Sequence, residues 1–184
     1  MDELLTELKA KMQKSVDGLA KELATIRAGR ASPGLLDNVT VDYHGVPTPL
    51  RQLASISIPE ANLIVIQPWD RASLRDIEKA ILTANLGLNP SNDGNVVRVV
   101  IPPLSEERRK ELVKFVSKLV EERRVAIRNI RRDGIEKLRQ MAKNKEISED
   151  ELKINNKKVD QLTEVYIEKA SEVGKAKEKE ILEV

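Results

Sequence analysis

One helical pattern runs without a break from Ser105 to about Lys145, and the rest of the chain has to fold around it. At 100° per residue, Leu112, Val116, Leu119, Ile127, Ile130, Leu138 and Met141 fall in one arc about 100° wide, the stripe of a helix that packs along its whole length. Arg124, Arg128, Arg131, Arg132 and Arg139 fall in a second arc, displaced by roughly 120° from the first. The centre of the pattern, residues 123–132, holds five arginines and no carboxylate. One face is therefore core, and the next is a ladder of guanidinium groups. Arg123 departs from this order because it lies inside the apolar arc, so its head is expected to snorkel past the edge of the packing.

A helix of this kind needs partners, and the sequence supplies two. In residues 2–28, Leu5, Leu8, Met12, Val16, Leu19, Leu23 and Ile26 step by three and four. After Lys145, Ser148-Glu-Asp-Glu151 reads as a capping box. It opens a helix whose Leu152, Val159, Leu162, Tyr166, Ala170, Val173 and Ile181 keep the same stepping. Three amphipathic helices close one elongated antiparallel bundle, the second and third each spanning roughly 55–60 Å. Gly134 and Gly174 lie inside these helices at a cost of about 1 kcal/mol each relative to alanine, and the sequence offers no reason for either.

Between the first and second helices the periodicity changes. Residues 39–43, 54–58, 63–66 and 96–101 are β-branched runs separated by turns at His44-Gly45, Pro47, Pro49, Pro59 and Asp93-Gly94. Asp70 is an N-cap for a short helix to about Ala84, and residues 85–94 read as a loop. The fold class is thus α+β. A helical domain of residues 1–30 and 105–184 receives a small, β-rich α/β domain of residues 31–104 as an insertion. The first crossing, Gly29, Arg30, Ala31 and Ser32, and the second, Pro102, Pro103 and Leu104, form the expected hinge.

Charge narrows the function. The net charge is only +2, yet residues 108–145 carry fourteen Lys/Arg against five Asp/Glu, a local +9. Residues 146–184 carry seven against eleven, a local −4. A polyanion would meet one face of the molecule. The basic residues there are arginines rather than lysines, whose planar forks suit phosphates, so the ladder is read as a nucleic-acid contact rather than a merely solvated face. RNA and DNA are not distinguished by this argument.

Other chemistry has little to work with. There is no cysteine and a single histidine, His44, which reads as a turn residue. Trp69 reads as packing at a strand end, and Asp70, Asp76, Glu78 and Asp93 lack the spacing of a metal site. No P-loop, dinucleotide fingerprint or nucleophile elbow occurs, so neither an enzyme nor a cofactor is expected. No apolar run approaches the roughly 20 residues that span a bilayer, and Met1 is followed at once by amphipathic helix, so neither membrane association nor a leader peptide is expected.

Five stretches together resemble the bacterial ribosome recycling factor family. They are residues 26–33 (IRAGRASP), 41–54 (VDYHGVPTPLRQLA), 86–90 (LGLNP), 102–109 (PPLSEERR) and 125–133 (VAIRNIRRD). The resemblance implies an L-shaped molecule with an outline like transfer RNA, its two domains joined by a flexible double linker. It implies a cytoplasmic, monomeric translation factor that, with elongation factor G and GTP hydrolysis by that factor, splits the post-termination ribosome into reusable subunits. It places contacts to large-subunit ribosomal RNA at Arg128, Arg131 and Arg132 and, near the hinge, at Arg27 and Arg30; Arg124 joins them from the helical arc. Arg123 departs from the family pattern, where a small residue is expected. The competing reading is a general RNA-binding chaperone, or a ribosome-associated adaptor without recycling activity.

Overall fold

The structure, a computed structural model, describes residues 2–183. The chain divides into two compact units, Met1–Ile26 with Glu106–Val184, and Arg27–Ser105. The sequence places the first border after residue 30. The structure draws it four residues earlier because Ala28 is buried and the Ala31 amide donates to the Ala61 carbonyl at 2.7 Å, inside the sheet-bearing unit.

The helical unit consists of α1 (Asp2–Ala24) and two long helices, Glu106–Lys143 and Glu149–Leu182, which become α4 and α5 in chain order. The first helix is shorter than the periodicity predicts. Thr25 turns both its hydroxyl (2.7 Å) and its amide (3.3 Å) onto the Glu22 carbonyl, and the Ile26 amide bonds Leu23, so the last turn tightens and the helix stops. α4 runs antiparallel to both partners, because Leu8 meets Gly134 and Gly18 meets Arg123 on one side while Val120 meets Gly174 and Arg131 meets Asp160 on the other. Those contacts explain two of the glycines. A Cβ on Gly134 would lie 2.5 Å from Leu8 Cδ1, and one on Gly174 would lie 2.5 Å from Val120 Cγ2. Hydrogen at these positions lets the helices approach.

The turn between α4 and α5 is closed by a Schellman pair, Glu146 N to Met141 O (2.8 Å) and Lys145 N to Ala142 O (3.1 Å). Lys145 sits at the left-handed position with φ +58, where glycine is usual. Ser148 then caps α5, its hydroxyl accepting from the Glu151 amide at 3.0 Å and lying 3.3 Å from the Glu151 carboxylate. Leu8, Leu138, Ile147 and Val159 form the core beside this turn.

In the other unit, β1 (Thr40–Tyr43) and β2 (Val46–Pro49) form a two-stranded ribbon, and a single turn, α2 (Leu50–Leu53), follows. β3 (Ala54–Glu60), β4 (Leu63–Pro68), β5 (Asn89–Asn92) and β6 (Val97–Val100) form an antiparallel sheet in the order β3-β4-β6-β5, with α3 (Leu74–Thr83) between β4 and β5 in the chain. Ile64, Ile66, Val97 and Val99 on the sheet and Leu74, Ile77 and Ile81 on α3 belong to one aliphatic core. The ribbon turns at His44 (φ +52) and Gly45 (φ +80), the two left-handed residues of a tight hairpin. β2 and β5 are strands that the sequence reads as turn and loop. Pro47, Pro49 and Pro90 hide them, yet all three sit where only one neighbouring strand is present, so a missing amide is tolerated.

Candidate nucleic-acid interface

The arginine ladder exists on α4, but its members differ in what holds them. Arg124 lies across to α5, donating from Nε (3.2 Å) and an Nη (2.7 Å) to Ser171 Oγ, whose own proton goes to the Ile167 carbonyl at 3.0 Å. Its other Nη is 3.1 Å from Glu121. Arg128 reaches the second oxygen of the same carboxylate at 3.3 Å. Arg131 Nε is 3.5 Å from Asp160 Oδ1, within ion-pair reach, and that Nε is buried with no hydrogen-bond partner. Arg132 is exposed, and among the described residues no carboxylate pairs with it. Arg139 lies 3.8 Å from Glu136.

These counter-charges change the electrostatic picture drawn from residues 123–132 alone. The carboxylates come from just before the run and from the neighbouring helices. Glu121 is held below the usual carboxylate range, first by the hydrogen bond from Arg124; desolvation acts next and in the opposite direction, and Arg128 adds to the lowering. Such surface pairs contribute little stability each. Glu121 was legible at three residues before Arg124; Ser171 and Asp160 were not, because the sequence does not say which residues of α5 face α4.

Arg123 lies on the opposite flank of α4, toward α1. Its guanidinium fits against Gly18, where a Cβ would come within 2.9 Å, and pairs with Glu22 at 3.2 Å. The misfit in the apolar arc is thus answered by a notch and a carboxylate on α1.

The remaining expected residues, Arg27, Gly29, Arg30, Ala31, Ser32, Pro102, Pro103 and Leu104, all belong to the α/β unit. Arg27 lies against Gly87, whose φ is +69 and whose missing Cβ would stand 3.3 Å from the guanidinium. Arg30 makes a polar or ionic contact of its own. The two crossings touch each other: Gly29 has φ +72, and a Cβ there would lie 3.0 Å from both the amide nitrogen and Cγ of Leu104. The first crossing, and Ile101 just before the second, are also tied to one hairpin turn, Ala31 N to Ala61 O and Ile101 N to Asn62 O, each 2.7 Å.

Other candidates are engaged elsewhere or open. Asp70 caps Ala72, Glu78 accepts from Asn92 at 2.6 Å, and Asp93 accepts from its own turn and from Arg98. His44 lies against Tyr43 with ring centroids 4.3 Å apart and the ring planes tilted by 59°. Trp69 does not pack as the sequence suggests. Its amide bonds the Leu53 carbonyl while 71% of the residue is exposed, because it follows the last residue of β4 and leads outward into the Asp70 cap. Among the described residues no group of three or more His, Cys, Asp or Glu could hold a metal ion, and no helix is long and apolar enough to cross a membrane.

Comparison with known proteins gives a consistent result. The family model described as ribosome recycling factor matches residues 19–182. The ribosome-recycling factor of Geobacillus sp. (strain WCH70) is 56% identical over 184 residues, covering 100% of both chains. A solution structure of the ribosome recycling factor is similar with a TM-score of 0.80 and 43% identity, covering 100% of this chain and 97% of that one. A chain from models for the T. thermophilus ribosome recycling factor and the E. coli elongation factor G bound to the E. coli post-termination complex is 46% identical. Its TM-score is 0.65, and the match covers 99% of this chain and 98% of that one.

Proposed function

The chain belongs to the ribosome recycling factor family, and on that premise we propose that it works with elongation factor G and GTP to split the post-termination ribosome into subunits. The observation that carries this reading is the match, over 99% of this chain, to a recycling factor described together with elongation factor G on the post-termination complex. In this reading the protein is a monomeric, cytoplasmic translation factor that makes and breaks no covalent bond itself. GTP hydrolysis belongs to its partner. The helical unit grips large-subunit ribosomal RNA through Arg124, Arg128, Arg131 and Arg132, with Arg27 and Arg30 contributing from the α/β unit.

Arg132 supports the RNA-binding role because it is exposed and, among the described residues, pairs with no carboxylate. The gathering of Arg124 and Arg128 on one small area of α4 supports it as well. Subunit splitting of post-termination ribosomes, followed by light scattering with and without elongation factor G and GTP, tests the activity. Splitting is expected only with both present. RNA binding without splitting would favour the chaperone reading instead. Exchanging Arg128, Arg131 and Arg132 together for alanine should weaken pelleting with ribosomes by at least about 1–3 kcal/mol and flatten its salt dependence. Equal affinity of wild type and variant at two salt concentrations would refute the interface.

The crossings at Gly29–Ser32 and Pro102–Leu104 serve as the hinge in this proposal. One is permissive through Gly29, and the other is stiffened by Pro102 and Pro103. Fluorescent labels on the two units should report a broad distance distribution. A single narrow distance that ribosomes do not alter would count against a hinge.

A further inference from the structure

The basic face carries its own anion. Glu121 precedes Arg124 by one turn and Arg128 by two, and its two oxygens lie 3.1 and 3.3 Å from their guanidinium groups. Two oxygens of one anion shared between two forks is also how a phosphate would be held there. We propose that Glu121 is a specificity-determining residue of this face, a built-in competitor that occupies Arg124 and Arg128 until a correctly placed RNA phosphate displaces it. The inference rests on the RNA-binding reading of the face given above.

Three features of the site favour displacement over a fixed pair. Glu121 is open to solvent, its side chain 54% exposed, so a phosphate can reach the position it holds. Arg124 has a second anchor in Ser171, so its guanidinium stays in place when the carboxylate leaves. Among the described residues Arg132 has no such competitor, and it is available for the first encounter. Because Glu121 is held below the ordinary carboxylate range, it is ionised wherever the protein works at neutral pH.

Discrimination follows from where the binding energy comes from. A loose single strand gains mainly from the summed field of the arginines, and a carboxylate in their midst lowers that field. A folded RNA site that fixes a phosphate where the carboxylate sits replaces both of its ion pairs and recovers the cost of displacing it, whereas a loose strand with no phosphate held there meets the negative charge uncompensated. A carboxylate therefore penalises adventitious RNA more than the intended surface.

Glu121→Gln keeps the size and an accepting oxygen and removes the charge. Binding of poly(U) by filter retention should tighten roughly two- to tenfold, the range expected for releasing two exposed ion pairs, while pelleting with isolated large ribosomal subunits changes by less than about twofold. Arg128→Ala, measured alongside, separates the two levels of the argument. If Glu121→Gln leaves both ligands unchanged while Arg128→Ala weakens subunit binding, the competitor role falls and the RNA-binding face stands. Equal tightening for both ligands would also overturn the specificity role. If neither substitution alters subunit binding and poly(U) is likewise indifferent to both, the face itself is misassigned and the inference falls with it.

Discussion

The two units bury their side chains differently. In the α/β unit, a sheet and a helix enclose an aliphatic core in which Ser73 is the one buried polar residue among those described. In the helical unit, Ser15, Asn155, Thr163, Ser171 and Lys177 are buried as well. Three of these bond back to a carbonyl four residues earlier in α5: Asn155 to Glu151, Thr163 to Val159 and Ser171 to Ile167. A bundle one side chain thick has no interior far from its own helix backbones, so the small polar groups of α5 can be covered while their protons stay with their own backbone; Ser15 Oγ on α1 is buried without a hydrogen-bond partner. The sheet unit has a true middle, and there only apolar groups are tolerated.

If that difference governs packing, the same truncation should cost more in the α/β unit. Ile77 on α3 and Ile127 on α4 are both fully buried. Ile77→Ala is expected near the upper end of the roughly 2–5 kcal/mol typical for such changes and Ile127→Ala near the lower end, because the bundle surface can relax into the space. Native-state hydrogen exchange, read separately for the two units, gives both values. An equal or larger loss at Ile127 would break the contrast.

Within the helical unit the two flanks of α4 should also differ. A Cβ on Gly174 meets Val120, a β-branched side chain with little freedom, so overpacking of about 1–3 kcal/mol should outweigh the helix-propensity gain of about 1 kcal/mol in Gly174→Ala. On the other flank a Cβ on Gly18 meets only the end of Arg123, which can swing aside. Gly18→Ala should therefore be neutral or stabilising. Chemical denaturation of both variants decides the matter, and matching signs would show that the flanks are not distinct.

What could be read from the sequence follows the same division. Long 3.6-residue stripes identified all three bundle helices, and the arc containing Arg124, Arg128, Arg131 and Arg132 was visible without coordinates. Apart from Glu121, their partners were not: Ser171 and Asp160 on α5, like Glu22 on α1 that pairs with Arg123, depend on how helices rotate against each other. Gly134 and Gly174 were visible as costs and unexplained until their neighbours Leu8 and Val120 were placed, and the notch that Gly18 offers Arg123 carried no signal in the sequence. In the α/β unit the β-branched strands were legible, whereas β2 and β5 were masked by Pro47, Pro49, Pro90, Asn89 and Asn92. Those residue types signal turns locally, and only pairing with β1 and β6 makes them strands.

The smallest expected effect concerns how the two units hold their carboxylates. Asp93, in the turn between β5 and β6, accepts from the amides of Val96 (3.0 Å) and Asn95 (2.9 Å) and from Arg98. These bonds, the backbone ones foremost, lower its pKa from 3.8 to about 2. A depressed folded-state value means that whatever Asp93 contributes to folding is fully present above the unfolded value of 3.8 and is lost as pH falls through about 2. In the helical unit Glu7 and Glu121 are also lowered, but by Lys11 and Lys137 and by Arg124 and Arg128, side chains that solvent and salt can reach. Raising the salt from about 0.05 to about 1 M shortens the screening length from about 14 to about 3 Å, so the two glutamates should move back toward 4.5 while Asp93 stays near 2. Side-chain carboxyl titrations by NMR at the two salt levels read all three groups in one sample. An Asp93 value that climbs with salt as far as the glutamates do would mean that Arg98, not the turn backbone, holds its charge.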